Sequence, residues 1–378
     1  MQSNLVNPCV AGLWNLELPE GWQLTENRVL ADRAESPGPP SAGTGAPGQA
    51  LPCEGFPGSG NPNAKVPKTA VPEAATVKTE TGYPPGEAQR CALEKKALQG
   101  LARCVRGYTM QEVKRTYEPA VHATGCGIRI AHNRFEHSSS SAMRYEGNDI
   151  LVEYNVIRDV VNESDDQGGI ESYFNPTYRG IVVRYNYWSD ISGGTFSGAT
   201  GVRMDDMICG VEVYGNIFER CGSYTFGGVQ INGGKENVID NNIFYRCPAA
   251  VSFTSMWTPE KWEAYLDTVT VVRKMMYEDV DINSAVYRQR YPELQRLHED
   301  FNRNIIRNNL VVDCPQVLIT GHDGNTENNA RQVVSNNTEI RADGRGIRSL
   351  CQPDFLARYG LKPIPLDEMG PHGNPWIK

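Results

Sequence analysis

Short apolar segments recur along the chain from Gly127 onward, and each is followed by an asparagine. Apolar residues stand at alternate positions before that asparagine, as at Ile128 and Ile130, which is the periodicity of a β-strand. The segments are IRIAHNRF, ILVEYNVI, IVVRYNYW, VEVYGNIF, NVIDNNIF, NIIRNNLV and QVVSNN. Most asparagines are 22 to 31 residues apart, the length of one solenoid coil, and one interval of 67 residues indicates an insertion.

The recurring asparagines are predicted to occupy one stacked position of a solenoid. Asparagine tolerates the left-handed backbone of a sharp turn, and its amide can hydrogen-bond to the next coil. The residues are Asn133, Asn155, Asn186, Asn216, Asn242, Asn309 and Asn337. Cys221, Cys247 and Cys314 each lie five residues after one of them. We therefore expect a ladder of buried thiols rather than disulfides among the ten cysteines.

A second series of strands lies between the first, in the segments AMRYE, GIESY, GVRMD, GVQIN, AVSFT and QVLIT. Aligned on one another, they direct apolar residues inward: Met143, Ile170, Val202, Val229, Val251 and Val317. The alternate residues then point outward. They form two rows: Arg144, Glu171, Arg203, Gln230 and Ser252, and beside them Glu146, Tyr173, Asp205, Asn232 and Thr254. The pattern predicts an all-β chain, a right-handed parallel β-helix with one polar face.

The remaining segments lack this repeat. Residues 1–88 are of low complexity around SPGPPSAGTGAPGQ and are predicted to be disordered. Residues 89–126 contain apolar positions at helical spacing over 89–106, which predicts a helix that caps the solenoid or lies on the surface. The β-helix is assigned to residues 127–345, with a helical, aromatic insertion at 255–303 that either walls the polar face or packs elsewhere. Residues 346–378 are expected to form a tail along the outside.

Charge and composition exclude several classes of function. The chain has 37 lysines and arginines against 45 acidic residues and a net charge of -8, so nucleic acid is not an expected partner. No apolar run is long enough to span a membrane, and the first 20 residues lack a signal-peptide pattern, so the sequence leaves localisation open. No metalloprotease, phosphate-loop or dinucleotide motif is present, and we expect a monomer that requires no cofactor.

Acidic residues cluster in two adjacent coils, in SDDQGGIES and VRMDDM. They are Asp165, Asp166, Glu171, Asp205 and Asp206. Neighbouring strands lie about 4.8 Å apart and diagonal neighbours about 7 to 8 Å apart. These separations suit the paired carboxyl groups of glycosidases, whose distance decides between a retaining and an inverting mechanism. The expected substrate-binding residues are Arg203, Tyr173, Gln230, Asn232, Arg144 and Trp257.

Three alternatives use the same residues differently. Asp165 and Asp166 could be turn formers or calcium ligands. A polysaccharide lyase would need a base and a cation for the substrate carboxylate, for which Arg144, Arg203 and Lys235 are candidates. A carbohydrate-binding or structural solenoid would use the carboxylates only architecturally, because a fold does not fix a function.

The segments DDQGGIESYFNPTYRGIVVRYNYWSDI, GVRMDDMICGVEVYGNIFERC and GGVQINGGKENVIDNNIFYRC, together with RYPEL, resemble the pectin-lyase-like β-helix proteins among bacterial carbohydrate-active enzymes. The closest likeness is to glycoside hydrolase family 141 and its relatives, from Gly127 to the C-terminus. The resemblance implies hydrolysis by two aspartates, one of Asp165 or Asp166 and one of Asp205 or Asp206. It also implies a secreted or periplasmic protein. Glu171 stands where relatives often have an aromatic residue.

We therefore expect a glycoside hydrolase that acts on a polysaccharide or oligosaccharide through paired carboxylates. Polysaccharide lyase activity on the same groove and a non-catalytic binding solenoid are the alternatives.

Overall fold

The computed structural model describes residues 119–193, 197–223, 225–254, 256–320 and 327–371, together with the backbone of four short strands nearer the N-terminus. The chain is a right-handed parallel β-helix of seven coils, as the sequence pattern predicts. Each coil contributes one strand to each of three parallel sheets.

Sheet A carries the predicted polar face. Its parallel strands are β5 (Val121–Cys126), β8 (Met143–Asn148), β11 (Gln167–Tyr173), β14 (Ala199–Asp205), β17 (Val229–Ile231), β20 (Val251–Phe253) and β23 (Leu318–Thr320). The first of these strands, β5, lies before Gly127, so the solenoid begins earlier than the asparagine pattern. That pattern does not mark the strands of sheet A.

Sheets B and C are built from the segments that flank each asparagine. Sheet B contains β6 (Arg129–Ala131), β9 (Leu151–Glu153), β12 (Ile181–Arg184), β15 (Val211–Tyr214), β18 (Val238–Asp240), β21 (Ile305–Arg307) and β24 (Val333–Ser335). Sheet C contains β7 (Arg134–Glu136), β10 (Val156–Arg158), β13 (Tyr187–Ile191), β16 (Ile217–Cys221), β19 (Ile243–Tyr245), β22 (Leu310–Val312) and β25 (Thr338–Ile340).

Four N-terminal strands extend two of the sheets in antiparallel fashion: β1 (Gln2–Val6), β2 (Leu16–Glu17), β3 (Trp22–Arg28) and β4 (Ala75–Thr81). Strand β1 pairs with β5, and β2 pairs with β6. The rest of residues 1–118 lies outside the described residues. The four strands lie within the range predicted to be disordered, and for the rest of 1–88 that prediction, like the prediction of a helix over 89–106, stays a prediction.

The asparagines form the predicted stack between sheets B and C. Oδ1 of Asn186 accepts hydrogen bonds from the backbone N and Nδ2 of Asn155, at 2.9 and 3.0 Å, and the pattern repeats from Asn133 to Asn337. The prediction that asparagine itself adopts the left-handed backbone is wrong. Positive φ belongs to the preceding residue, such as Tyr185 at 53°. That turn directs the asparagine side chain inward, where its amide joins neighbouring coils.

The interior is filled by side chains stacked from coil to coil. The rings of Trp188, Phe218 and Phe244 are stacked, with centroids 6.1 and 4.9 Å apart. Cys221 and Cys247 are buried free thiols, and the backbone N of Cys247 donates to Sγ of Cys314 at 3.3 Å. The predicted thiol ladder is therefore present.

The insertion, between β20 and β21, packs on the edge where sheet A turns into sheet B. It contains α1 (Pro259–Thr268), α2 (Thr270–Lys274), a π-helical turn (Met275–Asp279), α3 (Ala285–Arg290) and a 3₁₀ turn (Pro292–Arg296). Trp262 and Leu266 of α1 pack in one buried cluster with Met207 and Cys209, which follow β14. The fully buried Lys235 donates from Nζ to the carbonyl oxygens of Arg296 and Glu299, which fastens the insertion to the solenoid.

The C-terminal segment packs on the outer side of sheet C. The short helix α4 (Glu327–Arg331) precedes β24 and contacts β23 of sheet A, whereas the C-terminal segment contains α5 (Ile347–Leu350), α6 (Pro353–Ala357) and a 3₁₀ turn (Leu366–Glu368). Leu350 and Leu356 share a buried cluster with Ile217 and Leu310 of sheet C. Among the described residues, no helix has the length and apolar character needed to cross a membrane.

Candidate functional site

Three of the predicted carboxylates meet on sheet A, and we call Asp166, Asp205 and Asp206 the carboxylate cluster. Nη2 of Arg203 lies 2.8 Å from Oδ1 of Asp166 and 3.0 Å from Oδ1 of Asp205. Nδ2 of Asn232 donates to Oδ1 of Asp205 at 2.8 Å and to Oδ1 of Asp206 at 2.9 Å. Both oxygens are hydrogen-bonded to the same nitrogen, so the distance between the Oδ1 atoms of Asp205 and Asp206 cannot exceed the sum of the two bonds, about 5.7 Å.

The backbone explains why two consecutive aspartates share one site. In a regular strand they would point to opposite faces. Strand β14 ends at Asp205, and the next two residues, Asp206 and Met207, have φ of 36° and 67°. This left-handed kink turns Asp206 beside Asp205 instead of away from it. Such a kink cannot be inferred from periodicity, which leaves the direction of Asp206 undetermined.

Asp206 is held by the insertion as well as by the sheet. Its Oδ1 accepts a hydrogen bond from Nε1 of Trp257 at 2.9 Å. Burial and the negative charge of Asp205 raise the pKa of Asp206 to about 6, although Trp257, Arg203 and Lys261 oppose the shift. A carboxyl group with this pKa is protonated in about half of the molecules at pH 6 and in about a tenth at pH 7, so Asp206 can deliver a proton in mildly acidic to neutral solution.

Glu171 points outward as predicted, but it is almost fully buried and lies under the surface of the polar face. Its Oε1 is paired with Nη2 of Arg144 at 3.1 Å, and its Oε2 accepts from the backbone N of Gly168 at 3.3 Å. Burial raises the pKa of Glu171 despite the two neighbouring guanidinium groups. Its position makes it a partner of Arg144 rather than a group at the open surface.

The side chains in the outward row that contains Glu171 are buried, whereas strand alternation predicted that this row would lie at an open face. Arg203, Gln230 and Ser252 are also buried, and the guanidinium of Arg203 lies 5.4 Å from the ring centroid of Phe226. Both amide atoms of Gln230 are buried without a hydrogen-bond partner. Strand periodicity gives the direction of a side chain but not what covers it, so Gln230 does not face substrate in this arrangement.

Asp165 has the environment of a turn former. Its Oδ1 accepts from the backbone N of Asp166, Ser197 and Gly198 at 2.8, 3.0 and 2.7 Å. These bonds tie the turn before β11 to the turn before β14. This arrangement favours the architectural alternative for Asp165.

The predicted sugar-binding aromatic residues differ in exposure. Tyr173 is 45% exposed and is paired in register with Asp205, so the two side chains leave the same face of sheet A from neighbouring strands. The guanidinium of Arg144 packs on that ring at 4.6 Å from its centroid. Trp257 is buried against Gly233, where any Cβ would lie 2.3 Å from the indole. Tyr173 is therefore available to a ligand, and Trp257 positions Asp206 instead.

Two contributors to the site were not assigned a role from the sequence. Oγ1 of Thr254 donates to Oδ1 of Asn232, which fixes the amide with Nδ2 toward the two aspartates. Nζ of Lys261 lies 4.4 Å from the ring centroid of Trp257. Thr254 was visible as an outward residue, but nothing in the sequence indicated that it orients Asn232.

The calcium alternative has little support at Asp165 and Asp166, because backbone amides and Arg203 already contact their oxygens. Among the described residues, the one group of three potential metal ligands is Glu263, Asp267 and His298, which lies on the insertion.

A family model described as a right-handed beta helix region matches residues 119–255. It spans the first coils and the whole carboxylate cluster, and it agrees with the observed fold. No curated protein and no solved structure matches the chain.

Proposed function

We propose that this chain is a glycoside hydrolase in which Asp206 is the general acid and Asp205 is the second catalytic carboxylate. One observation carries the proposal: Nδ2 of Asn232 holds the two carboxylates together beside the exposed ring of Tyr173. The pKa of Asp206, raised to about 6 by burial and by Asp205, supports its role as the proton donor.

The two carboxylates have different surroundings, as an acid and a nucleophile require. Oδ1 of Asp205 lies 3.0 Å from Arg203 Nη2, and this positive charge stabilises the carboxylate. Asp206 accepts only neutral hydrogen bonds, from Asn232 and Trp257, so its protonated form is tolerated. Its Oδ2 accepts no hydrogen bond from the described residues and is the oxygen on which a transferable proton would lie.

The separation favours a retaining mechanism. Retaining glycosidases place their carboxyl groups about 5 to 5.5 Å apart, whereas inverting enzymes need about 6.5 to 9.5 Å. Asp206 would give its proton to the leaving oxygen while the bond from that oxygen to the anomeric carbon breaks. Asp205 would bond to the anomeric carbon, and water activated by Asp206 would release the sugar. The exposed side chain of Tyr173 suits contact with a sugar, whereas Nδ2 of Asn232 is already donated to the two aspartates.

The lyase alternative is less well supported by the same geometry. Lys235 is fully buried under the insertion and cannot reach a substrate. Arg144 and Arg203 are both paired with carboxylates, Glu171 and Asp205. Neither arginine is therefore positioned as an uncommitted base on the polar face.

The decisive experiment measures reducing ends and the ultraviolet absorbance of unsaturated uronates on a panel of polysaccharides. We expect reducing ends without absorbance, and a loss of at least about 100-fold in Asp206→Asn. Asp190→Asn is the matched control, because Asp190 also has a left-handed backbone but lies on sheet C. Absorbance gain would establish a lyase, and binding without turnover would establish a non-catalytic solenoid.

A further inference from the structure

A second cavity lies where the insertion meets the turns between sheets A and B. Its volume is about 320 Å³, and its walls include Asp149, Arg179, Glu236, Tyr291 and Glu293. This volume is at the lower end of the range of about 300 to 1,000 Å³ that small-molecule sites occupy. None of these residues belongs to the carboxylate cluster.

Glycines on consecutive coils open the floor of this cavity. Gly180 and Gly210 have φ of 70° and 66°, and both contribute to the lining. A Cβ on Gly180 would lie 2.2 Å from Oδ1 of Asp149, and a Cβ on Gly210 would lie 2.8 Å from Cδ of Arg179. Larger residues would therefore collide with Asp149 and Arg179 and displace them from the positions they hold at the cavity.

The polar groups around the cavity are incompletely satisfied within the described residues. Nε of Arg179 is buried without a hydrogen-bond partner, and its Nη2 reaches Glu236 only at 3.5 Å. Oδ2 of Asp149 accepts from Tyr291 at 2.8 Å and from Arg290, whereas its Oδ1 accepts no hydrogen bond from the described residues. Glu293 is exposed at the rim. Nε of Arg179 is the buried group among these, and buried polar groups are ordinarily satisfied by water or a ligand.

We infer that this cavity is a second binding site for an uncharged sugar, separate from the carboxylate cluster. Arg290 is paired with Asp149, and Arg179 is paired with Glu236. The walls therefore carry no unpaired positive charge that would bind an anion. Hydroxyl groups both donate and accept hydrogen bonds, which suits walls that mix carboxylate oxygens with guanidinium nitrogens. The site does not depend on catalysis, and an inactive protein would retain it.

Saturation-transfer NMR tests this site with xylose, galactose, fucose and cellobiose, and with galacturonate as the charged comparison. The protein is the full chain carrying Asp205→Asn and Asp206→Asn, which removes turnover without altering the cavity. We expect signal from at least one neutral sugar and none from galacturonate. Glu293→Ala should weaken that signal at least threefold, and Arg179→Lys should reduce it to what the carboxylate cluster alone gives.

Glu299→Ala is the matched control, because Glu299 is an exposed residue of the same segment outside the cavity, and it should leave the signal unchanged. Thermal unfolding of each variant separates lost binding from lost folding, and Glu293→Ala changes only an exposed side chain. Absence of signal from every neutral sugar, a preference for galacturonate, or a signal that Glu293→Ala leaves intact would overturn the inference. Any of these results could occur with a fully active hydrolase, so the two proposals fail separately.

Discussion

Nε1 of Trp257 donates a hydrogen bond to Oδ1 of Asp206 at 2.9 Å, so the insertion directly contacts the carboxylate that we propose as the acid. Met207, the residue after Asp206, is also buried in the cluster formed by the insertion. The insertion therefore holds the position of Asp206 and also contributes to its proton affinity.

Replacing Trp257 by phenylalanine should raise the pKa of Asp206 further above about 6, because the indole hydrogen bond lowers that pKa in the native protein. A lost hydrogen bond to a charged group corresponds to roughly one pH unit. The alkaline limb of the pH–rate profile should move to higher pH by that amount. Trp262→Phe is the control, since Trp262 donates to the carbonyl of Leu297 and does not contact Asp206. An unchanged limb in Trp257→Phe would remove Asp206 from the role of acid.

Asp206→Asn should stabilise the protein at high pH. Burial and Asp205 raise the pKa of Asp206 to about 6 from 3.8. The folded state therefore binds this proton more tightly than the unfolded state does. The resulting stability is complete below about pH 4 and is lost as pH rises through about 6. At pH 8 the variant should gain about 1 to 3 kcal/mol, and near pH 4 it should gain little.

Asp190→Asn should behave in the opposite way in the same denaturant titrations. Burial alone would raise the pKa of Asp190, but hydrogen bonding and charge from Arg220 outweigh it and lower the pKa. The stability that this carboxylate contributes is present above its unfolded pKa of about 3.8 and is lost as pH falls through the lowered pKa. Its removal should therefore destabilise the protein at pH 8. A stabilised Asp190→Asn, or a destabilised Asp206→Asn, would contradict this assignment of the two environments.

Thr254→Val should reduce turnover about tenfold if the hydroxyl fixes the Asn232 amide. Valine has nearly the same shape but cannot donate to Oδ1 of Asn232, so the amide loses its defined orientation toward Asp205 and Asp206. Thr254→Ser retains the donor and should restore most of the turnover. Equal losses in the serine and valine variants would show that packing, rather than amide orientation, is the requirement.

The sequence predicted the solenoid well because its coils repeat a local signal. The alternating apolar residues and the recurring asparagine each mark a fixed position within a coil. Aligning these positions gives the strand registers that the structure shows, Glu171 beside Arg203 and Arg203 beside Gln230. The last coil was misaligned by one residue: Leu318, not Val317, pairs with Val251. In QVLIT, Val317 and Leu318 are adjacent apolar residues, so alternation alone does not show which of them points inward.

The site was less predictable, because its geometry depends on non-repeating features. The left-handed kink at Asp206 and the burial of Glu171 both arise outside the strand pattern. Trp257 is among the substrate-binding residues expected from the sequence. Its position is instead set by Gly233, whose missing Cβ leaves room for the indole, a contact between distant segments.

The asparagine stack gives a last prediction about stability. Asn186 is fully buried, donates to the carbonyl oxygens of Val152 and Arg184, and accepts from Asn155. Asn186→Ala leaves these buried groups without partners, so the free energy of unfolding should fall by about 3 kcal/mol. Asn337→Ala is the comparison at the last coil, where the side chain is only partly buried.

The loss in Asn337→Ala should be about 1 kcal/mol, because water can replace part of what the amide provides at the end of the stack. Urea unfolding followed by circular dichroism measures both values. Equal losses at the two positions would mean that the hydrogen bonds of the stack contribute independently of burial. A negligible loss at Asn186 would mean that the stack sets the register of the coils without stabilising them.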